Sequence, residues 1–134
     1  MNLYLDASAT VKLFLEEAES GDVKARLRAA TSQGGKLFVS SLTVLETKRA
    51  LVRNRMSVED AARFFRSTDM VAITPQILEQ TTTVRPATLK TLDAIHLATA
   101  MVLQQAVGVE FVAFDRRLIE AAQAAGITVA SPGL

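Results

Sequence analysis

The sequence predicts an α/β protein: a parallel sheet of four to five short strands with helices on both faces. Three observations predict it. Short apolar stretches alternate with segments of helical periodicity from one end to the other, the order that parallel βαβ units impose. The chain has 134 residues, one domain's worth, and a chain of that length buries roughly two-thirds of its surface in a core of its own. Its 49% apolar and 22% charged residues are a globular balance and not a disordered one.

Asn2–Leu5 reads as the first strand. After Asp6 a helix-like pattern places Val11, Phe14, Leu15 and Ala18 on one face. Ser20 is positioned to cap a second helix carrying Val23, Leu27 and Ala30, which Gly34-Gly35 ends. Leu37–Val39 is a second strand, and Ser40 and Ser41 open a helix with Leu42, Leu45 and Ala50 at helical spacing. Ser57 starts the next helix, with Ala61, Phe64 and Phe65 on its apolar face, and Met70–Ile73 is a third strand. Thr74-Pro75 is a cap followed by proline at the first helical position. Arg85-Pro86 interrupts, and Leu92–Gln105 is a helix apolar on more than one stripe, hence buried. Phe111–Phe114 is a fourth strand, Leu118–Ala125 a helix stopped by Gly126, and Ile127–Ala130 a last strand.

Several function classes are excluded. Cysteine is absent, which removes disulfides, thiolate metal sites and a cysteine nucleophile; a single histidine removes a histidine-rich zinc site. The longest apolar run is four residues, far below the roughly 20 that cross a bilayer. The N-terminus lacks a basic region and carries an acid at position six, unlike a signal peptide. A cytoplasmic protein without a membrane partner is the expectation. Net charge is +1, but Lys48, Arg49, Arg53, Arg55, Arg63 and Arg66 stand against only Glu59 and Asp60, a local net of +4. Such a segment is either a solvated helix face or a grip for a polyanion.

In open α/β sheets ligands sit beyond the C-terminal ends of the strands. Asp6 ends the first strand and Asp115 the fourth; Glu46 lies early in the helix after the second, and Asp93 opens the apolar helix. Each has a structural reading. Asp6 and Asp115 can cap the helices that follow them, Glu46 can complete a capping box with Thr43, and Asp93 can favour a helix N-terminus. The functional reading is collective. Two carboxylates about 5 Å apart repel by roughly 3 kcal/mol at an effective dielectric of ~20, so four at one sheet end call for a cation. An all-oxygen set suits Mg²⁺ or Mn²⁺, ions that acidify water and neutralise a phosphodiester under attack.

At these residues the chain resembles the PIN-domain ribonucleases, in particular the VapC-type toxins of bacterial toxin–antitoxin pairs. The segments that carry the resemblance are Leu3-Tyr-Leu-Asp6-Ala-Ser8, Ser41-Leu-Thr-Val-Leu-Glu46, Leu92-Asp93-Ala-Ile-His96-Leu-Ala-Thr-Ala100 and Phe114-Asp115-Arg-Arg-Leu118, in that order along the whole chain. The resemblance implies one PIN-like domain over 1–134. It implies that Asp6, Glu46, Asp93 and Asp115 are the catalytic, metal-binding quartet, holding one or two Mg²⁺ or Mn²⁺ ions for hydrolysis of RNA to a 5′-phosphate and a 3′-hydroxyl. Ser8 matches the small hydroxyl residue that supports the first aspartate in relatives. Where relatives often carry threonine two residues before the last aspartate, this chain has Ala113. It also implies a homodimer and a cognate antitoxin whose C-terminal segment packs on apolar helix surface and presents a basic residue to the acidic cleft.

His96, three residues after Asp93, reads as a buried histidine supporting the site and not as a base. Lys48, Arg49, Arg116 and Arg117 adjoin the quartet in sequence and are the candidate RNA-backbone contacts. With 5% aromatic residues and no tryptophan, extensive base stacking is not expected. Leu13-Phe14-Leu15 is core, with one of the three available to a partner. Two other readings stand beside the nuclease. One is a non-catalytic RNA- or protein-binding module on the same fold, towards which Ala113 leans. The other is a haloacid-dehalogenase-type phosphatase, which would want an aspartate where Ser8 stands.

Overall fold

The structure, a computed structural model, describes residues 1–134. Its centre is a five-stranded parallel sheet in the order β3-β2-β1-β4-β5, formed by β1 (Leu3–Leu5), β2 (Leu37–Ser40), β3 (Asp69–Val71), β4 (Glu110–Val112) and β5 (Val129–Ala130). The helices are α1 (Ala7–Thr10), α2 (Ser20–Ser32), α3 (Ser41–Arg53), α4 (Glu59–Arg66), α5 (Pro75–Thr81), α6 (Thr91–Ala106) and α7 (Arg116–Ala124). Leu3 pairs with Leu37 on one side and with Glu110 on the other, so β1 is the middle strand.

The pleat of β1 divides the core. Leu3 and Leu5 face α2, α3 and α4, packing with Val23, Leu27, Leu51 and Phe65. Tyr4 faces the opposite side, with Leu97 of α6, Leu118 of α7 and Phe111 of β4. All three β1 side chains are buried, as expected of a strand covered on both faces. Phe111 is fully enclosed, its ring 5.4 Å from that of Tyr4. Phe111→Ala should therefore cost about 3–5 kcal/mol, read as a shifted denaturation midpoint; a cost below 1 kcal/mol would contradict this packing.

Local chemistry sets most of the element ends. Asp6, Ser40, Thr74 and Asp115 each precede a helix and accept one of its free N–H groups through the side chain. Gly34 takes the left-handed turn, φ +84°, that closes α2.

The expected helix from Asp6 to Ala18 is corrected. Only Ala7–Thr10 is α-helical; a 3₁₀ turn covers Val11–Leu13 and the chain then bends. Ser20 is responsible, because it does not cap α2. It is its first residue, turned inward, with its hydroxyl accepting from Glu17 N–H and donating to the Leu15 carbonyl. Leu13, Phe14 and Leu15 all pack, partly buried, against the α2–α4 side of the core, and Leu15 also lines an open groove. The capping box on α3 is also differently composed. Thr43 answers Ser40, and Glu46 is left for another partner.

Candidate active site

Strand order turns around between β1 and β4. From β1 the chain crosses to β2 on one side; from β4 it crosses to β5 on the other. The loops leaving the two strands therefore part, and the crevice between them is where this class of sheet takes its ligand. Asp6 follows β1 and Asp115 lies three residues beyond β4, one on each side of that crevice. Ser8 ties the two loops together. Its hydroxyl donates to Asp6 Oδ1 at 2.6 Å and accepts from the Phe114 backbone N–H at 2.9 Å.

The four acids differ in what holds them. Asp6 is buried, and its Oδ1 also accepts from Ala9 N–H at 3.1 Å. Asp115 caps α7 through Leu118 N–H at 3.0 Å. Glu46, on the second turn of α3, meets His96 of α6, with Oε1 at 2.7 Å from Nε2. Asp93, in the first turn of α6, takes no hydrogen bond from the protein, although it is partly buried. The capping readings of Asp6 and Asp115 thus hold, while that of Glu46 fails.

Charge couples these groups across the crevice. Burial pushes the Asp6 carboxyl up to about 6, against the lowering influence of His96, Ser8 and Ala9, and the Glu46 charge adds to the rise. Burial also raises Asp93, and the charges of Asp115 and Glu46 add to it. No three of the acids stand close enough together to share one ion. The donor chemistry nonetheless fits a hard divalent cation. All four are oxygen ligands, and Asp93 lacks any protein partner. Asp6 and Asp93 are held where burial disfavours their charged forms.

The predicted basic residues are divided by the structure. Arg116 and Arg117 border a pocket with Asp93, Asp115 and Lys90. Glu46, by contrast, shares an open groove of about 780 Å³ with Ser8, Lys12, Arg53 and Phe114. Neither Lys48 nor Arg49 lines it, and for Lys48 the reason is helical. At 100° per residue Lys48 is turned to the far side of α3 from Glu46, whereas Arg53, two turns on, shares its face. Arg63 pairs with Asp60 at 2.9 Å on the surface.

Sequence reasoning missed three residues here. Lys90 precedes α6 and carried no motif. Lys12 is buried, paired with Glu17 at 3.4 Å and Glu19 at 3.1 Å, with its ammonium 4.6 Å from the centre of the Phe114 ring. Its place in an apolar segment hid it. Tyr4 read only as a strand residue, yet its hydroxyl lies 2.8 Å from His96 Nδ1. Ala113 packs in the core beside Tyr4 and Phe111, and its carbonyl accepts from Ser131 Oγ at 2.6 Å.

A parallel sheet with acids after two of its strands, one on the helix that follows a third strand and one at a helix start, around its switch point, defines a class of α/β proteins with an acidic cleft. The chain belongs to the PIN-domain family, whose pattern its residues 3–124 match. Within that family it is similar to two Mycobacterium tuberculosis ribonucleases. It is 33% identical to ribonuclease VapC47 over 133 residues, 98% of this chain and 97% of that one. It is 34% identical to ribonuclease VapC46, over 97% of each chain. Among solved structures, the fold is shared with the M. tuberculosis VapC20 toxin, described as cleaving the sarcin–ricin loop (TM-score 0.72, 21% identity, 98% of this chain and 100% of that one). It is shared as well with FitAB bound to a DNA fragment (TM-score 0.67, 17% identity, 98% and 96%).

Proposed function

We propose that this chain is a divalent-metal-dependent endoribonuclease acting as the toxin of a toxin–antitoxin pair. The observation that carries the reading is the set of four carboxylates placed around one switch point, in a chain whose relatives at a third identity are ribonucleases. Asp6, Glu46, Asp93 and Asp115 would hold one or two Mg²⁺ or Mn²⁺ ions. When bound, the ion supplies Lewis acidity toward water and neutralises charge on the phosphodiester.

The protein's own groups do the rest. Ser8 keeps the loops after β1 and β4 in register, so that Asp6 and Asp115 stay on either side of one crevice. Lys90, Arg116 and Arg117 line the Asp93 side and suit RNA phosphates. Arg53 serves the Glu46 side, and Lys48 and Arg49 add to the positive field of α3 without entering the groove. The cognate antitoxin is the second partner. Exposed Leu45 and Val52 on α3 supply apolar surface for a homodimer. No helix is long and apolar enough to cross a membrane.

Purified protein incubated with total RNA and Mg²⁺ or Mn²⁺ should give discrete fragments ending in 5′-phosphates, and chelator should leave the RNA intact. The second reading, a non-catalytic binding module, draws on the fact that no three acids close on a common point. RNA bound but uncut with either ion would establish it in place of the nuclease.

A further inference from the structure

A hydrogen-bonded chain runs from the core to the acidic cleft through three elements. Tyr4 of β1 has no exposed surface, and its hydroxyl is 2.8 Å from His96 Nδ1. His96 of α6 is buried, and its Nε2 is 2.7 Å from Glu46 Oε1 on α3. We propose that Tyr4 is a positioning residue for the site: acting through His96, it fixes the hydrogen bond that holds the Glu46 carboxylate at the cleft. The proposal rests on the reading of Glu46 as a cation ligand.

The direction of each bond follows from the groups. A carboxylate only accepts, so Nε2 carries a proton and donates to Glu46. Burial raises the Tyr4 phenol well above its usual range, outweighing the nearby Ser40, Thr43 and Thr99 hydroxyls. The phenol therefore keeps its proton and donates it to Nδ1. With the carboxylate accepting at Nε2 and the phenol facing Nδ1, each ring nitrogen has one partner and the ring is held in one orientation. Histidines that present or steer a metal ligand are commonly fixed by a partner on the other ring nitrogen. Here the imidazole steers a carboxylate, engaging Oε1 and leaving Oε2 without a hydrogen bond from the protein.

Packing alone does not account for the phenol. The Tyr4 ring sits 5.4 Å from Phe111 in an apolar cluster with Leu97 and Leu118, where phenylalanine would fill the same space. The hydroxyl is the extra group, and its acceptor is the one histidine of the chain. Burying it beside an imidazole is favourable only while both are satisfied.

That single histidine makes the test direct. In the ¹⁵N spectrum of the labelled, metal-free protein, every imidazole signal belongs to His96. The expected pattern is one protonated nitrogen, assigned to Nε2, and one unprotonated. Tyr4→Phe should leave the proton on Nε2, where Glu46 still accepts it, shift the Nδ1 signal that loses its partner, and raise the Mn²⁺ concentration for half-saturation, read by electron paramagnetic resonance, about tenfold. A purely structural role would lower Tm and leave Mn²⁺ half-saturation where it is. His96→Gln keeps an N–H donor for Glu46 and needs no phenol, so adding Tyr4→Phe to it should leave Mn²⁺ binding unchanged. The proposal is overturned if wild type carries its proton on Nδ1. It also falls if Tyr4→Phe leaves Mn²⁺ half-saturation unmoved while Glu46→Gln weakens it. If Glu46→Gln too leaves Mn²⁺ binding unmoved, the reading of Glu46 as a ligand is what fails.

Discussion

Asp93→Asn should abolish RNA cleavage, lowering the rate at saturating Mn²⁺ by a hundredfold or more while leaving the fold intact. Asp93 accepts no hydrogen bond and caps no helix; it stands in the first turn of α6, partly buried among charged groups. Replacing one oxygen by an amide of equal size therefore removes no structural contact. What it removes is an anionic ligand, and losing even an indirect support of a metal ligand commonly costs 10–100-fold. The proximity of Asp115 disfavours the Asp93 charge, so Tm in chelator should hold or rise slightly. Full activity in the variant would take Asp93 out of the site. A loss of several degrees in chelator would mean that its charge serves the α6 N-terminus.

Asp6→Asn has the larger expected effect on stability, and its sign depends on pH. In the folded chain burial holds the Asp6 proton until about pH 6, against 3.8 for a free carboxyl. Between those values the folded state binds more protons than the unfolded, so stability falls as pH rises through that window. The loss is about 2–3 kcal/mol and complete by neutral pH. Asparagine keeps an oxygen for Ser8 and Ala9 and carries no charge. In chelator at pH 7 the variant should therefore melt about 5 °C or more above wild type, and at pH 4 the two should nearly coincide. Mn²⁺ should raise the wild-type Tm and leave the variant's alone. A variant less stable than wild type at pH 7 in chelator would make Asp6 a helix cap before anything else.

The sheet was legible in the sequence because its strands are bounded apolar runs between helical stretches, and each reading fell within a residue or two of the observed strand. Caps were legible where a short polar residue stood alone before a helix, as at Thr74 and Asp115. The segment after Asp6 was not. Its apolar spacing continues to Ala18, but the helix is broken by contacts from outside the pattern: Ser20 reaching back to Leu15, and Lys12 tethered to Glu17 and Glu19. The carboxylates were legible because parallel topology sends each strand end to the same edge. Lys48 is near Glu46 in sequence but not on its helix face, where Arg53 is the neighbour. Tyr4, His96 and Glu46 could not be joined by reading. They lie on three elements, and tyrosine inside a strand and histidine inside an apolar helix are each ordinary alone.

On the proposed reading, acids that stand apart in the free chain come together on a divalent ion. The most direct test is the binding of Mn²⁺ to the RNA-free protein, followed by electron paramagnetic resonance and repeated with Asp6→Asn and Asp93→Asn. Wild type should bind one or two ions, and both variants should bind with affinity at least tenfold weaker. Wild-type protein that binds no Mn²⁺ at millimolar concentration, or variants that bind it as wild type does, would contradict it.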